Sequence, residues 1–226
     1  MVARVNTVAF QGVDVVDVDV QVHLVAGLPA FSVVGLADKA VAESRERVRA
    51  ALSAIGLSLP PRRITVNLSP ADLPKEGSHY DLPVALGILS AMGVMAPEDL
   101  VEYVVLGELA LDGALSPVVG TLPAAVHAAA TARGIICPAE CGGEAAWVGG
   151  AEVLAPAGLL ALINHFKGVQ VLTPPEPHLA EDRPIGVDLS DVKGQESAKR
   201  ALEVAAAGGH NILILFLINR KNCENR

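Results

Sequence analysis

Aromatic residues are scarce in this chain of 226: one Trp, two Tyr and four Phe. Half of the residues are nevertheless apolar, so Val, Ala and Leu must build the core, as in an ordinary globular α/β composition. No apolar run approaches the roughly 18 residues that span a bilayer. The opening MVARVNTVAFQG alternates instead of forming a charged segment followed by an apolar one, so no secretory leader is expected. A cytoplasmic chain without a membrane partner is the expectation. Only three cysteines occur, Cys137, Cys141 and Cys223, which fits a reducing compartment and excludes a disulfide scaffold. Cys137, Cys141 and nearby His127 lack the further ligands at suitable spacing that zinc needs, so no metal is expected.

Basic charge is also short. Residues 1–185 hold 11 Lys and Arg against 20 Asp and Glu, a net of −9, whereas residues 186–226 carry a net of +1. Strong nucleic-acid binding rests on phosphate neutralisation. The only local basic group is Arg45, Arg47, Arg49, Arg62 and Arg63, so the acidic portion is not expected to grip DNA alone.

What is present is periodicity. Residues 2–9 and 13–25 alternate as strands, with a slip at Val15 and Val16 that suggests a bulge. Asp14, Asp17 and Asp19 fall on the opposite, solvated face. Residues 31–34 form a third strand. Residues 38–54 repeat Val41, Val48, Leu52 and Ile55 at helical spacing. Pro60 and Pro61 precede a strand at 62–68, and the loop SPADLPKEGSHYD leads to a helix at 82–92 with Asp81 as its cap. Residues 103–109 and 114–116 read as a hairpin about Asp112-Gly113. A helix at 121–133 closes on Gly134; a strand at 135–137, a short helix at 143–147, a strand at 152–154 and a helix at 157–166 follow. This order indicates an α+β protein with a mixed sheet over residues 1–167. Residues 168–186, with Pro174, Pro175, Pro177 and Pro184, read as a linker. Beyond lie a helix at about 195–207, a Gly208-Gly209 stop and an apolar strand from 211.

Three long stretches resemble the ComM/YifB family of Mg-chelatase-like AAA+ proteins: PAFSVVGLADKAVAESRERVRAAL at 29–52, RRITVNLSPADLPKEGSHYDLPVALGIL at 62–89, and GQESAKRALEVAAAGGHNILI at 194–214. GELALDGALSPVVGTLPA adds a weaker match. The resemblance implies a Lon-protease-like amino-terminal domain, similar to the second domain of ribosomal protein S5. It implies the start of an AAA+ ATPase domain at 187–226. It further implies ATP and Mg²⁺ as cofactors of the full-length family, a hexameric ring, and DNA processing by branch migration during natural transformation or recombination. A magnesium-chelatase ATPase subunit for porphyrin metallation and a degenerate Lon-type peptidase are the alternatives.

Lon-type peptidases use a Ser–Lys pair, the serine in a K-D-G-P-S-A-G loop beside helix amides and a neutral lysine as base. The matching loop runs from Lys75 to Asp81, and in gapless register the nucleophile position is His79. The lysine position, after the stretch corresponding to L-P-I-G-G-L, is Leu122. No lysine lies between Lys75 and Lys167. Ser78 with Lys75 is a substitute pair; the alternative is that Ser78 satisfies the helix terminus and Lys75 is solvated. No catalytic residue is therefore assigned. In the AAA+ portion the resemblance puts Val192, Gly194 and Gln195 beside the adenine. A phosphate loop G-x-x-x-x-G-K-[ST] should follow the strand, but no glycine occurs after Gly209 and no Lys-Ser or Lys-Thr pair is present. The change after residue 215 reads as a frameshift or truncation, and this chain alone is expected to bind ATP weakly at best.

Overall fold

A computed structural model describes residues 2–12, 14–177 and 188–213. The chain divides into two compact units, Met1–Ala180 and Glu181–Arg226. In the first, β1 (Val2–Gln11), β2 (Asp14–Val25), β3 (Ala30–Val34), α1 (Lys39–Ala54), β4 (Arg63–Ser69), α2 (Asp81–Ala91), α3 (Glu98–Val101) and β5 (Tyr103–Val105) come first. A small hairpin, β6 (Glu108–Leu109) and β7 (Leu115–Ser116), then precedes α4 (Thr121–Ala130), β8 (Gly134–Ile136), α5 (Gly142–Ala146), β9 (Val153–Leu154) and α6 (Leu159–Phe166).

Seven strands form one sheet in the order β3-β4-β2-β1-β5-β8-β9. The β1–β2 and β2–β4 pairs are antiparallel and the other four parallel, so the expected mixed sheet is mostly parallel. Its faces are covered unequally. Val5, Val20, Val22, Val66 and Leu68 point to one side, where they bury against α1, α2 and α6. Val8, Val104 and Ile135 point to the other, under α4 and α5. Helix α2 lies flat on β1 and β2 because Gly87 has no Cβ; one there would sit 2.6 Å from Val22 Cγ2.

This double cover explains the slip in β2. Pairing runs unbroken from Val2 with His23 to Gln11 with Asp14, so there is no bulge. Val16 packs on the first cluster and Val15 on the second. Consecutive valines are both apolar because both faces are covered at that end. Asp14 is exposed as expected, but Asp17 and Asp19 are not merely solvated: Asp17 accepts from His127 at 2.9 Å and Arg133 at 3.0 Å, both held over the sheet by and after α4, and Asp19 accepts from Arg4.

Other local expectations change for similar reasons. Residues 103–105 join the central sheet instead of running into the hairpin, which is confined to β6 and β7 about Asp112-Gly113. Helix α4 stops at Thr131, and the left-handed residue is Ala132, at φ 54°. Gly134 instead opens β8, where the Tyr103 ring occupies the space a Cβ would need. The Pro-rich segment begins packed on the first unit: Leu172 lies against the core and donates its N–H to His165 Nδ1 at 3.0 Å.

In the second unit, a short 3-10 turn Leu189–Asp191 precedes α7 (Glu196–Gly208). Asp188 and Asp191 cap the turn reciprocally, and Gly209, at φ 61°, ends α7, as a C-terminal glycine does. Residues 211–213 are not in a strand, and the remainder of the strand expected from 211 lies outside the described residues. So does Cys223.

Candidate functional site

The loop before α2 is fixed on every side. Asp38 accepts from Val41 N–H at 2.7 Å, capping α1, and its other oxygen lies 3.5 Å from Gly77 N–H. Lys75 bridges Ala37 in strand fashion, with Asp38 N–H donating to Lys75 O and Lys75 N–H to Leu36 O. At the helix start, Gly107 N–H donates to His79 O and Leu82 N–H to Gly107 O. This lashes the loop to the chain leaving β5.

Asp81 is not the cap; Tyr80 holds that position, and Asp81 is the first residue of the helix. Its carboxylate is fully buried. It accepts from Arg47 at 2.5 and 2.9 Å and from Leu109 N–H at 3.2 Å. One buried acid thereby joins α1, α2 and the hairpin. Burial pushes the carboxyl upward against the pull of Arg47 and the Leu109 amide. The hydrogen bond to Asp81 in turn raises the guanidinium.

His79 and residues 117–120 meet across one cavity of about 600 Å³. Its polar lining is Glu76, Ser78, His79 and Glu108; Phe10 and Val118 lead the apolar wall. Gly120 closes it at φ 92°, and the Phe10 ring comes within 2.5 Å of where a Cβ would stand, so only glycine fits. A second hollow of about 610 Å³ shares Phe10, Glu76 and Gly77 and adds Asp38. The groove thus continues past the Phe10 ring.

The catalytic pairing is not assembled. Ser78 Oγ donates to the Glu108 carboxylate. Lys75, expected in solvent, is instead buried, and its Nζ donates to the Pro70 carbonyl, away from Ser78. Burial lowers the Lys75 ammonium below its ordinary range, with Asp72 opposing. His79 is 6% exposed, lies against Phe10 and Tyr80, and its Nε2 is 3.0 Å from Val8 O. Leu122 is exposed and does not line the cavity; its N–H donates to Glu144. Glu108, which the sequence reading missed, lies in the weakly matching GELALDG stretch, and only the folding-back of β6 brings it to Ser78.

The remaining candidates disperse. Arg47 is taken by Asp81 and Arg45 contacts Glu46. Arg49 and Arg62 share a hollow with Phe31, whereas Arg63 precedes Ile64 in β4 and faces away from the core. With Arg47 committed to Asp81, the five arginines do not form one exposed group. Cys137 and Cys141 are buried free thiols, Cys141 donating to Val118 O, and burial pushes the Cys137 thiol up to about 12. No cluster able to hold a metal occurs among the described residues, and no described helix is long and apolar enough to cross a membrane. Val192 is 39% exposed after the 3-10 turn. Gly194 and Gln195 are left-handed, at φ 70° and 59°, and Gln195 precedes the first turn of α7.

Residues 20–141, which hold the loop and all of the cavity lining except Phe10 and Gly12, match the family described as Subunit ChlI of Mg-chelatase, and residues 188–216 match Magnesium chelatase, subunit ChlI. The protein YifB of Escherichia coli K12 is 43% identical over 211 residues, covering 93% of this chain and 42% of the relative. The competence protein ComM of Haemophilus influenzae is 39% identical over 219 residues, covering 94% of this chain and 43% of ComM. The chain belongs to the ComM/YifB-like family. A Mycobacterium tuberculosis relative is 40% identical over 212 residues. The chain spans about two fifths of the length of these curated relatives, and in ComM/YifB-like terms it holds the portion carrying the Lys75–Asp81 loop.

Proposed function

We propose that residues 1–167 form a Lon-protease-like domain without peptidase chemistry, joined through 168–186 to the start of an AAA+ ATPase domain at 187–226. The observation that carries this is the divided pair: Ser78 is committed to Glu108 and Lys75 to the Pro70 carbonyl. An activated nucleophile needs its base within hydrogen-bonding reach, and here neither group addresses the other. A fold can persist after its chemistry is gone.

In the full-length protein the role we infer is DNA processing by an ATP-driven ring, with branch migration in transformation or recombination as its specific form. The ComM relative is named for competence, which supports this reading. Val192, Gly194 and Gln195 suit the uncharged adenine, an exposed apolar side chain beside a turned backbone. They offer no cation for the phosphates. Hydrolysis of ATP would there supply the free energy of motion, with Mg²⁺ neutralising the phosphates, and the phosphate-holding residues are not among these three. The family descriptions favour a second reading, a magnesium-chelatase ATPase subunit.

A chimaera tests the proposal. Residues 1–215 should replace the corresponding segment of Haemophilus influenzae ComM and support transformation in a strain lacking ComM. The Ser78→Ala chimaera should do so equally. A stable chimaera that fails to transform would refute the DNA-processing role; a loss specific to Ser78→Ala would refute the non-catalytic reading.

A further inference from the structure

The cavity between the Lys75–Asp81 loop and residues 117–120 has an unbalanced chemistry. Glu76 and Glu108 bring two carboxylates to it, and Ser78 spends its hydroxyl proton on Glu108. Among the described residues no Lys or Arg lines this cavity or the adjoining hollow, where Asp38 adds a further acid. Of the basic residues close to this region, Lys75 is committed to Pro70 O, Arg47 to Asp81 and Lys39 pairs with Glu43.

His79 supplies a second, independent observation. Its Nε2 lies 3.0 Å from Val8 O, and a carbonyl can only accept, so Nε2 carries the proton and Nδ1 presents a lone pair. Nδ1 has no partner among the described residues, although the side chain is 94% buried, and the ring lines the cavity. Nδ1 is not among the sealed, unpartnered polar atoms of the described residues, so its lone pair is free to accept from a donor that enters the cavity. Among the described residues, the polar side chains lining this space therefore offer electron pairs or negative charge.

The walls select the rest of the ligand. Phe10, Pro117, Val118 and Val119 form an apolar side, with Val119 93% exposed. A long basic side chain lays its methylenes on such a surface and projects its charge past it. The volume, about 600 Å³, lies in the ordinary range for organic ligands, and the groove continues on the far side of Phe10. A bare metal ion would leave this wall unused. A nucleic acid would bring phosphates against the carboxylates.

We propose that this cavity is a binding site for an Arg- or Lys-bearing peptide segment flanked by apolar residues. The head group would be held by Glu76, Glu108 and the free Nδ1 of His79. The proposal rests on reading the site as non-hydrolytic: the segment is held and not cut.

The test uses a fluorescein-labelled acetyl-Val-Pro-Arg-Val-Ala-amide peptide and versions with norleucine or Glu replacing Arg, titrated into the chain by fluorescence polarisation. The Arg peptide should saturate. Losing one charge-assisted partner should weaken it about tenfold or more, so the norleucine peptide and the Glu108→Gln and Glu76→Lys variants should each show that loss. The Glu peptide should not bind. Glu76 is exposed, so Glu76→Lys decides the matter if Glu108→Gln fails to fold by circular dichroism. Absent Arg-peptide binding, equal binding of the norleucine peptide, or indifference to Glu76→Lys would overturn the proposal. Cleavage of the bound peptide, read by mass spectrometry, would refute the non-hydrolytic reading and leave the cation preference standing.

Discussion

Replacing Arg47 by Met should be among the most damaging single changes in the first unit, although Arg47 touches no ligand. Asp81 is fully buried and takes two hydrogen bonds from Arg47 and one from Leu109 N–H. Arg47 itself is 22% exposed, so solvent cannot replace it at Asp81. Removing one member of a buried pair leaves an uncompensated charge, at a cost of about 3–5 kcal/mol. For a unit of this size each kcal/mol moves the melting midpoint by about 2–4 °C, and a loss near 4 kcal/mol therefore lowers it by about 8–16 °C. Urea unfolding followed by circular dichroism at pH 7 gives the free energy directly. The double change Arg47→Met with Asp81→Leu should recover much of the loss, because a paired apolar replacement removes the charge along with its partner. Acidification adds a second signature. Burial raises the Asp81 carboxyl, and without Arg47 it rises further. A raised carboxyl stabilises most when protonated and loses that contribution as pH climbs through its folded value. The gap between Arg47→Met and the parent should thus narrow as pH falls. A loss under 1 kcal/mol at pH 7, or a gap independent of pH, would refute the account of Asp81 as a pinned buried charge.

Burial lowers His79 below its ordinary 6.5, against the pull of Val8 O and Asp38. Below 6.5 the unfolded chain takes up a proton that the folded chain refuses, so stability present above that pH should fall on acidification toward pH 5. His79→Phe should flatten this slope in urea midpoints; an unchanged slope would mean that other groups carry it. Limited proteolysis should leave a core ending within 167–186, and equally fast cleavage inside 38–92 would undo that division. Titrating ATP with Mg²⁺, or a short DNA duplex at moderate salt, into residues 1–226 should give no saturable signal below the millimolar range. Micromolar ATP binding would refute the expectation of weak binding by this chain alone.

Period-two and helical patterns alone located most elements of the first unit, because apolar spacing reports which side of an element faces a core, whatever that core is. The long motifs alone revealed the family and singled out the Lys75–Asp81 loop. Tertiary structure decided what local pattern could not encode. The apparent slip at Val15–Val16 is a consequence of cover on both sheet faces, a fact belonging to α4 and not to β2. Asp81 looks like a cap in sequence, but its partner Arg47 lies 34 residues away on another helix, and pairing across that distance leaves no local signal. Lys75 reads as a solvated loop lysine until the chain folds it under Pro70. Glu108 reads as an ordinary strand residue until the hairpin carries its carboxylate to Ser78. The cavity exists only because two loops far apart in the chain are brought face to face, and its acidic side-chain lining stands unbalanced because Lys75 and Arg47 are bound elsewhere.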